Sequence, residues 1–146
     1  MGIVRKYTLF NDSFSIKIPD DYVRLKDSGM NSAECFRDKK DNTIIIMECE
    51  ASNVNVSEQN MIMYNDIKRR CCDVSEPECT YRIVDGVRQS KVYFNEGFDK
   101  HYVLVSYQAI GHFYAVIMCN VDGQFEKWKK DMDYVLDSIS NRVEEE

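Results

Sequence analysis

At 146 residues, with 44% hydrophobic, 12% aromatic and 30% charged residues, the chain is sized for one compact domain and can bury a core without disulfides or metal. The aromatic and aliphatic content excludes a disordered chain, and no uncharged apolar run approaches the ~20 residues of a membrane-spanning helix. Nineteen Lys and Arg against 25 Asp and Glu leave a net charge of −6, which repels a phosphate polymer and argues against nucleic acid as a partner.

Taken in chain order, Tyr7 to Phe10 and Phe14-Ser15-Ile16-Lys17-Ile18 alternate apolar and polar side chains and stop at Pro19-Asp20, the pattern of a short hairpin ending in a turn. Ala33 to Arg37 and Thr43 to Glu50 form a second strand pair across the charged stretch 38–42. A helix is expected from Ser57 to about Cys72, with Ser57 as cap, an apolar stripe of Met61, Tyr64, Ile67 and Cys71, and Asp66 paired with Arg70 at i,i+4. Cys79 to Val84 and Val87 to Asn95 flank Asp85-Gly86, a two-residue hairpin loop whose residues tolerate positive φ. Tyr102 to Tyr107 and Phe113 to Cys119 are almost continuously apolar around Ile110-Gly111, as expected of neighbouring central strands covered on both faces. The last helix runs from about Gly123 to Ser140, capped by Asp122, with Phe125, Trp128, Met132, Val135 and Ile139 on one stripe. Glu144 to Glu146 read as part of a frayed acidic tail over 141–146.

Consecutive hairpins imply one mainly antiparallel sheet, and central strands that are apolar on both faces need cover on each side. The expected architecture is therefore a single α+β domain over 1–146, an α/β/α sandwich with a helix on each face of the sheet.

Phe14-Ser15-Ile16-Lys17-Ile18-Pro19-Asp20-Asp21-Tyr22, together with Phe113 to Met118 and the closing Val135-Leu136-Asp137-Ser138-Ile139, resembles the opening strand, proline and aromatic, and the final strand and helix, of the Mog/PsbP-like fold group. That group includes Ran-binding nuclear-import factors, photosystem II extrinsic subunits, DcrB lipoproteins and type VI secretion effector chaperones. The resemblance spans almost the whole chain and implies a fold used mostly for binding other proteins. Its carriers are core and turn residues, so it transfers no catalytic or binding residue to this sequence.

The start, Met1 to Lys6, lacks the apolar core of a secretion signal, so a cytoplasmic protein is expected, with no membrane partner. In that reducing setting the cysteines at 35, 49, 71, 72, 79 and 119 are expected as free thiols. Cys71, Cys72 and Cys79 lack the CxxC spacing or nearby His of a zinc site, so no metal or cofactor is expected. His101 and His112 are the only histidines; with Ile110-Gly111 as loop they lie about 30 Å apart at opposite ends of a ladder, too far to share a metal. The same loop length tests a Cys–His nucleophile. A two-residue loop sets Cys119 opposite Tyr102 and turns His101 to the other face, whereas a three-residue loop would put both on one face.

No nucleotide, serine-hydrolase, zinc-protease or calcium motif occurs, and Asp20-Asp21 beside Pro19 reads as turn chemistry. No catalytic residue is therefore assigned. Tyr22, Tyr81, Tyr93 and Tyr107 are the aromatic residues least accounted for by core periodicity, and a surface cluster among them is the first candidate contact surface. The expected function is a non-catalytic protein-binding module, an adaptor or chaperone-like protein whose partner is another protein, with a homodimer possible. The alternatives are a small-ligand-binding protein or enzyme with its own cleft, and a toxin immunity partner.

Overall fold

A computed structural model of the chain describes residues 2–10, 13–25, 33–49, 55–84, 87–109 and 112–141. Among them the elements are β1 (Val4–Leu9), β2 (Phe14–Pro19), β3 (Val23–Leu25), β4 (Ala33–Arg37), β5 (Thr43–Cys49), α1 (Val56–Arg70), β6 (Glu78–Val84), β7 (Val87–Glu96), β8 (Lys100–Ala109), β9 (His112–Asn120), α2 (Phe125–Asp137) and β10 (Ser140–Asn141). Seven strands form one sheet in the order β3-β4-β5-β9-β8-β7-β6, and every neighbouring pair is antiparallel. The nearly continuous apolar runs of β8 and β9 do lie at the middle: Tyr102 to Tyr107 and Phe113 to Val116 are all buried.

Side-chain alternation splits these central strands between two cores. Val103, Val105, Tyr114, Val116 and Met118 face one way and pack with Trp128, Met132 and Val135 of α2. Leu104, Tyr102 and Cys119 face the other way, with Val92, Phe94 and Tyr64 of α1. The helices therefore lie on opposite faces, as doubly apolar strands require, and the class is α+β. They flank only part of the sheet: α1 packs on β7 and β8, while α2 packs on β9 and β2.

The first hairpin does not extend the main sheet. β1, β2 and β10 form a separate three-stranded sheet, and Phe14, Ile16 and Ile18 join the core on the α2 side. Expecting one sheet was wrong because β2 is buried on both faces near its start, Ser15 included, so it needs cover that an edge of the main sheet does not offer. The hydroxyls of Ser13 and Tyr114 meet at 2.6 Å inside this core, and the rings of Phe14 and Tyr114 lie 4.6 Å apart.

Both helix starts differ from expectation. Asn55, not Ser57, caps α1: its Oδ1 accepts from the Glu58 amide at 2.9 Å while its Nδ2 donates to Glu58 Oε1, a reciprocal arrangement of the capping-box kind. Its buried stripe is Val56, Asn60 and Tyr64, with Met61, Ile67 and Cys71 half-buried at its margin. Asn60 is fully buried; its Nδ2 donates to the Ser90 carbonyl at 2.6 Å, and its Oδ1 accepts from Ser106 Oγ at 2.6 Å. For α2, Gln124 takes the cap position without a side-chain bond, while Asp122 holds the Gln124 amide from outside the helix. α2 ends at Asp137 rather than Ser140, because Ser138 Oγ turns back to accept from the Lys17 amide, and the chain then pairs as β10 with β2. The expected acidic tail lies outside the described residues, apart from Asn141.

Candidate functional site: a groove between the second helix and the sheet edge

The sheet is wider than its cover. On its own face of the sheet α2 packs over β9, and beyond it β7, which α1 covers only from the other face, and β6 project without a helix above them. Between them runs a groove with two adjoining chambers of about 440 Å³ and about 310 Å³, which share Thr80, Lys91, Asp133 and Leu136. Its floor is apolar: Val103 from β8 and Met132 and Leu136 from α2.

Charged side chains span this groove from strand to helix. Lys91 Nζ on β7 meets Asp133 Oδ1 on α2 at 3.3 Å, and Arg82 Nη2 on β6 meets Asp137 Oδ1 at 3.4 Å. Arg82 Nε also donates to Gln89 Oε1 on the neighbouring strand. Both ion pairs are solvent-exposed, so each adds at most about 1 kcal/mol and is easily displaced.

One end of the groove is closed by aromatics. The His101 ring stacks on Phe125 with centroids 4.0 Å apart, and Tyr93 hydroxyl lies 2.8 Å from His101 Nδ1. Burial lowers the His101 pKa below its ordinary value, with Asp99 opposing. Burial, with Glu78 and Glu126 nearby, raises that of Tyr93.

Of the four tyrosines singled out from the sequence, the structure brings two to this groove: Tyr93, half-buried, lines the larger chamber, and Tyr81, at 53% exposed, borders the smaller one from the sheet edge. Tyr81 points to the α1 side and Tyr93 to the α2 side, because residues paired with Ser90 and Val103 alternate in facing. Tyr22 and Tyr107 are not surface residues. Both are buried members of the main core, Tyr107 because its ring packs edge-on against Phe14 of the second sheet. The expected four-tyrosine surface cluster therefore does not form. The groove residues Lys91, Lys129 and Asp133 carry no signal in the sequence, because charged positions on a strand and a helix give no sign that they face one another.

The other sequence candidates resolve through register. Ala109 pairs with His112 and Tyr102 with Cys119, the two-residue alternative, so Cys119 lies in the α1-side core and His101 against Phe125 on the opposite side. Burial pushes the Cys119 thiol up to about 11, the reverse of an activated nucleophile. Pro19-Asp20 does form a turn, closed by Tyr22 N–H to the Pro19 carbonyl at 3.1 Å. All six cysteines are free thiols. Among the described residues, no group of three or more His, Cys, Asp or Glu side chains is placed to hold a metal, and no helix is long and apolar enough to cross a membrane.

A smaller cleft of about 260 Å³ lies at the other side of α2, where Asp21, Asp38, Asp122 and Asp131 gather around Tyr22 and Trp128. Much of it is a structural knot. Asn42 Nδ2 donates to Asp38 and Asp122, and Asn42 Oδ1 accepts from Asn120 and the Val121 amide. Burial works against the Asp122 carboxylate, but bonds from Gln124, Asn120 and Asn42 outweigh it and hold its pKa below the ordinary value. Burial, reinforced by Asp38, raises the pKa of Tyr22.

No protein-family model matches this chain, and no curated protein does. Solved structures do. The solution structure of cyanobacterial PsbP, CyanoP, from Synechocystis sp. PCC 6803 superposes with a TM-score of 0.72 at 15% identity, covering 96% of this chain and 94% of that one. This chain has the Mog/PsbP fold. The crystal structure of the Saccharomyces cerevisiae Ran-binding protein Mog1p agrees with a TM-score of 0.64 at 7% identity over 95% of both chains, and a Mog1 point mutant with 0.66 at 6% over 96% of both. At such identities the likeness concerns backbone architecture, and the groove of this chain is built from its own residues.

Proposed function

We propose that this chain is a non-catalytic protein-binding module that receives its partner along the groove between α2 and the β6–β7 projection. The observation that carries the reading is the groove's make-up: a buried apolar floor of Val103, Met132 and Leu136, flanked by the half-buried rings of Tyr93 and Phe125 and spanned only by exposed ion pairs. Such a surface offers desolvation at its centre and exchangeable charges at its rim, the usual division of an interface. The fold adds support, since one solved structure sharing it is that of a Ran-binding protein, a protein whose ligand is itself a protein. Six free thiols suit a reducing compartment, and we read the protein as cytoplasmic. Its partner's identity is open to experiment.

The test is affinity capture from source-cell lysate, with the wild-type chain beside Lys91→Glu/Lys129→Glu, which reverses two rim charges and leaves the core untouched. A protein retained by the wild type and lost by the variant supports the reading. Background only, or capture indifferent to the variant, removes the groove from consideration. The larger chamber, at about 440 Å³, also falls in the size range of small-molecule sites. That second reading would be favoured by a small ligand raising the thermal midpoint of the wild type and not of a Leu136→Phe variant.

A further inference from the structure

β6 is the last strand of the seven-stranded sheet, paired only with β7, and all of its residues from Glu78 to Ile83 are exposed. Edge strands are normally protected by bulges, internal prolines or covering loops. Here the pairing with β7 runs without a bulge from Glu78↔Tyr93 to Val84↔Val87, and Pro77 stands just outside the strand. On the α1 side this edge carries Tyr81 at 53% and Ile83 at 59% exposure, two of the seven exposed large apolar side chains among the described residues.

Hydrogen-bond parity says which backbone groups are unused. The two-residue connection between Val84 and Val87 makes that pair exchange both of its hydrogen bonds, so the even-numbered residues of β6 are tied to β7. Before β6 the register slips by one residue, so that Ser75 donates to the Asn95 carbonyl and Val74 bridges Glu96; the even parity holds from Glu78 onward. The N–H and C=O groups of Cys79, Tyr81 and Ile83 therefore point outward.

We propose that β6 is a homodimerisation edge: it pairs antiparallel with β6 of a second copy of this chain across a two-fold axis at Thr80. An antiparallel pair must set outward-facing residues opposite outward-facing residues, so the axis has to pass through a residue and not between two. An axis at Arg82 opposes two guanidiniums. An axis at Tyr81 sets Arg82 against Thr80, and one at Cys79 sets Glu78 against Thr80 and Arg82 against Glu76, which lies outside β6 beyond Pro77. Only the axis at Thr80 brings Glu78 opposite Arg82 of the second copy, twice by symmetry. In the same register Cys79 and Tyr81 of each copy exchange outward hydrogen bonds, and the exposed Tyr81 side chains of the two copies become diagonal neighbours on one face, each opposite Cys79 of the other copy. The strand itself thus supplies what its own edge asks for: apolar side chains at odd positions and complementary charges at even ones. The backbone pairing uses the edge of β6, but Glu78 and Arg82 also border the groove, so the Lys91→Glu/Lys129→Glu variant, which alters the groove and leaves Glu78 and Arg82 in place, separates the two readings: it should leave the dimer intact.

Sedimentation velocity of the full chain over a rising concentration series reads the proposal. The expected result is a reversible monomer–dimer equilibrium, weakened about tenfold or more by Glu78→Arg alone or Arg82→Glu alone and returned close to wild type in the doubly reversed chain. Both positions are exposed, and circular dichroism verifies that each variant is folded. As a second measurement, Cys79→Ser/Thr80→Cys should form a disulfide-linked dimer on mild oxidation, since residue 80 meets itself at the close, non-hydrogen-bonded spacing; Cys79→Ser alone should not. A monomer at every concentration overturns the proposal, as does a dimer indifferent to both charge reversals. If instead the chain stays monomeric and captures a foreign protein that Tyr81→Pro releases, the edge belongs to a different partner and the proposal is equally overturned.

Discussion

On the α2 side of the main sheet, Phe14, Ile16 and Ile18 from a second sheet and Trp128, Met132 and Val135 from a helix cover Ile44, Val116 and Val103. On the α1 side a single helix covers Val92, Phe94 and Leu104 through Tyr64, and is fastened at its buried Asn60 by hydrogen bonds to Ser90 and Ser106. The first side is closed by apolar area contributed from distant parts of the chain. The second is closed by one element and a fully satisfied polar contact. The difference has a consequence for function: area-based cover has no reason to stop at a sheet edge, and where it runs out, past Leu136, it leaves a groove rather than a sealed face.

The contrast is most sharply tested by truncating each side's centre. Phe14→Ala removes a fully buried ring that touches Phe10, Tyr107 and Tyr114, and should cost about 3–5 kcal/mol in urea unfolding. A loss below about 1 kcal/mol would mean that the second sheet does not close the α2 side. Asn60→Ala strands the Ser106 hydroxyl and the Ser90 carbonyl in an apolar setting, so about 1–3 kcal/mol is expected from the same measurement. Should Asn60→Leu prove as stable as wild type, the polar fastening would be dispensable.

A smaller effect belongs to pH. His101 is harder to protonate in the folded chain than at its ordinary value of 6.5, so the unfolded state binds the proton more readily. Stability is therefore full above pH 6.5 and declines as pH falls below it toward the depressed folded value. Thermal midpoints between pH 8 and 5 should show this decline in the wild type, and a shallower one in His101→Gln; parallel curves would contradict it. Smallest of all, Lys91→Ala should shift stability by no more than about 0.5 kcal/mol, because its ion pair with Asp133 is exposed. A larger loss would make the groove's rim a structural strap instead of an exchangeable one.

Much of the backbone was legible because its rules are local. Side-chain pattern located β2, β4, β5 and β7 within a residue or two, nearly continuous apolar runs located β8 and β9, the two-residue spacing at 85–86 set the register of its hairpin, and the structure chose the two-residue alternative at 110–111. Register alone then separated Cys119 from His101. The site was far less legible. Tyr22 and Tyr107 looked available because nothing in their neighbourhood in sequence predicts the second sheet that buries them, and the groove is assembled from β6, β7, β8 and α2.

What the amino-acid order determined by itself is the two helices, the strands other than the short β3 and β10, the register of the β6–β7 hairpin and the two-sided burial of β8 and β9. All of these follow from side-chain period and loop length within a few residues. Only the tertiary structure decided that β1 and β2 leave the main sheet, that Asn60 fastens α1, and that α2 stops short of the β6 edge. Those outcomes depend on contacts such as Ser13 with Tyr114, 101 residues apart, where the competition is among whole layers for apolar cover and no local pattern carries its result.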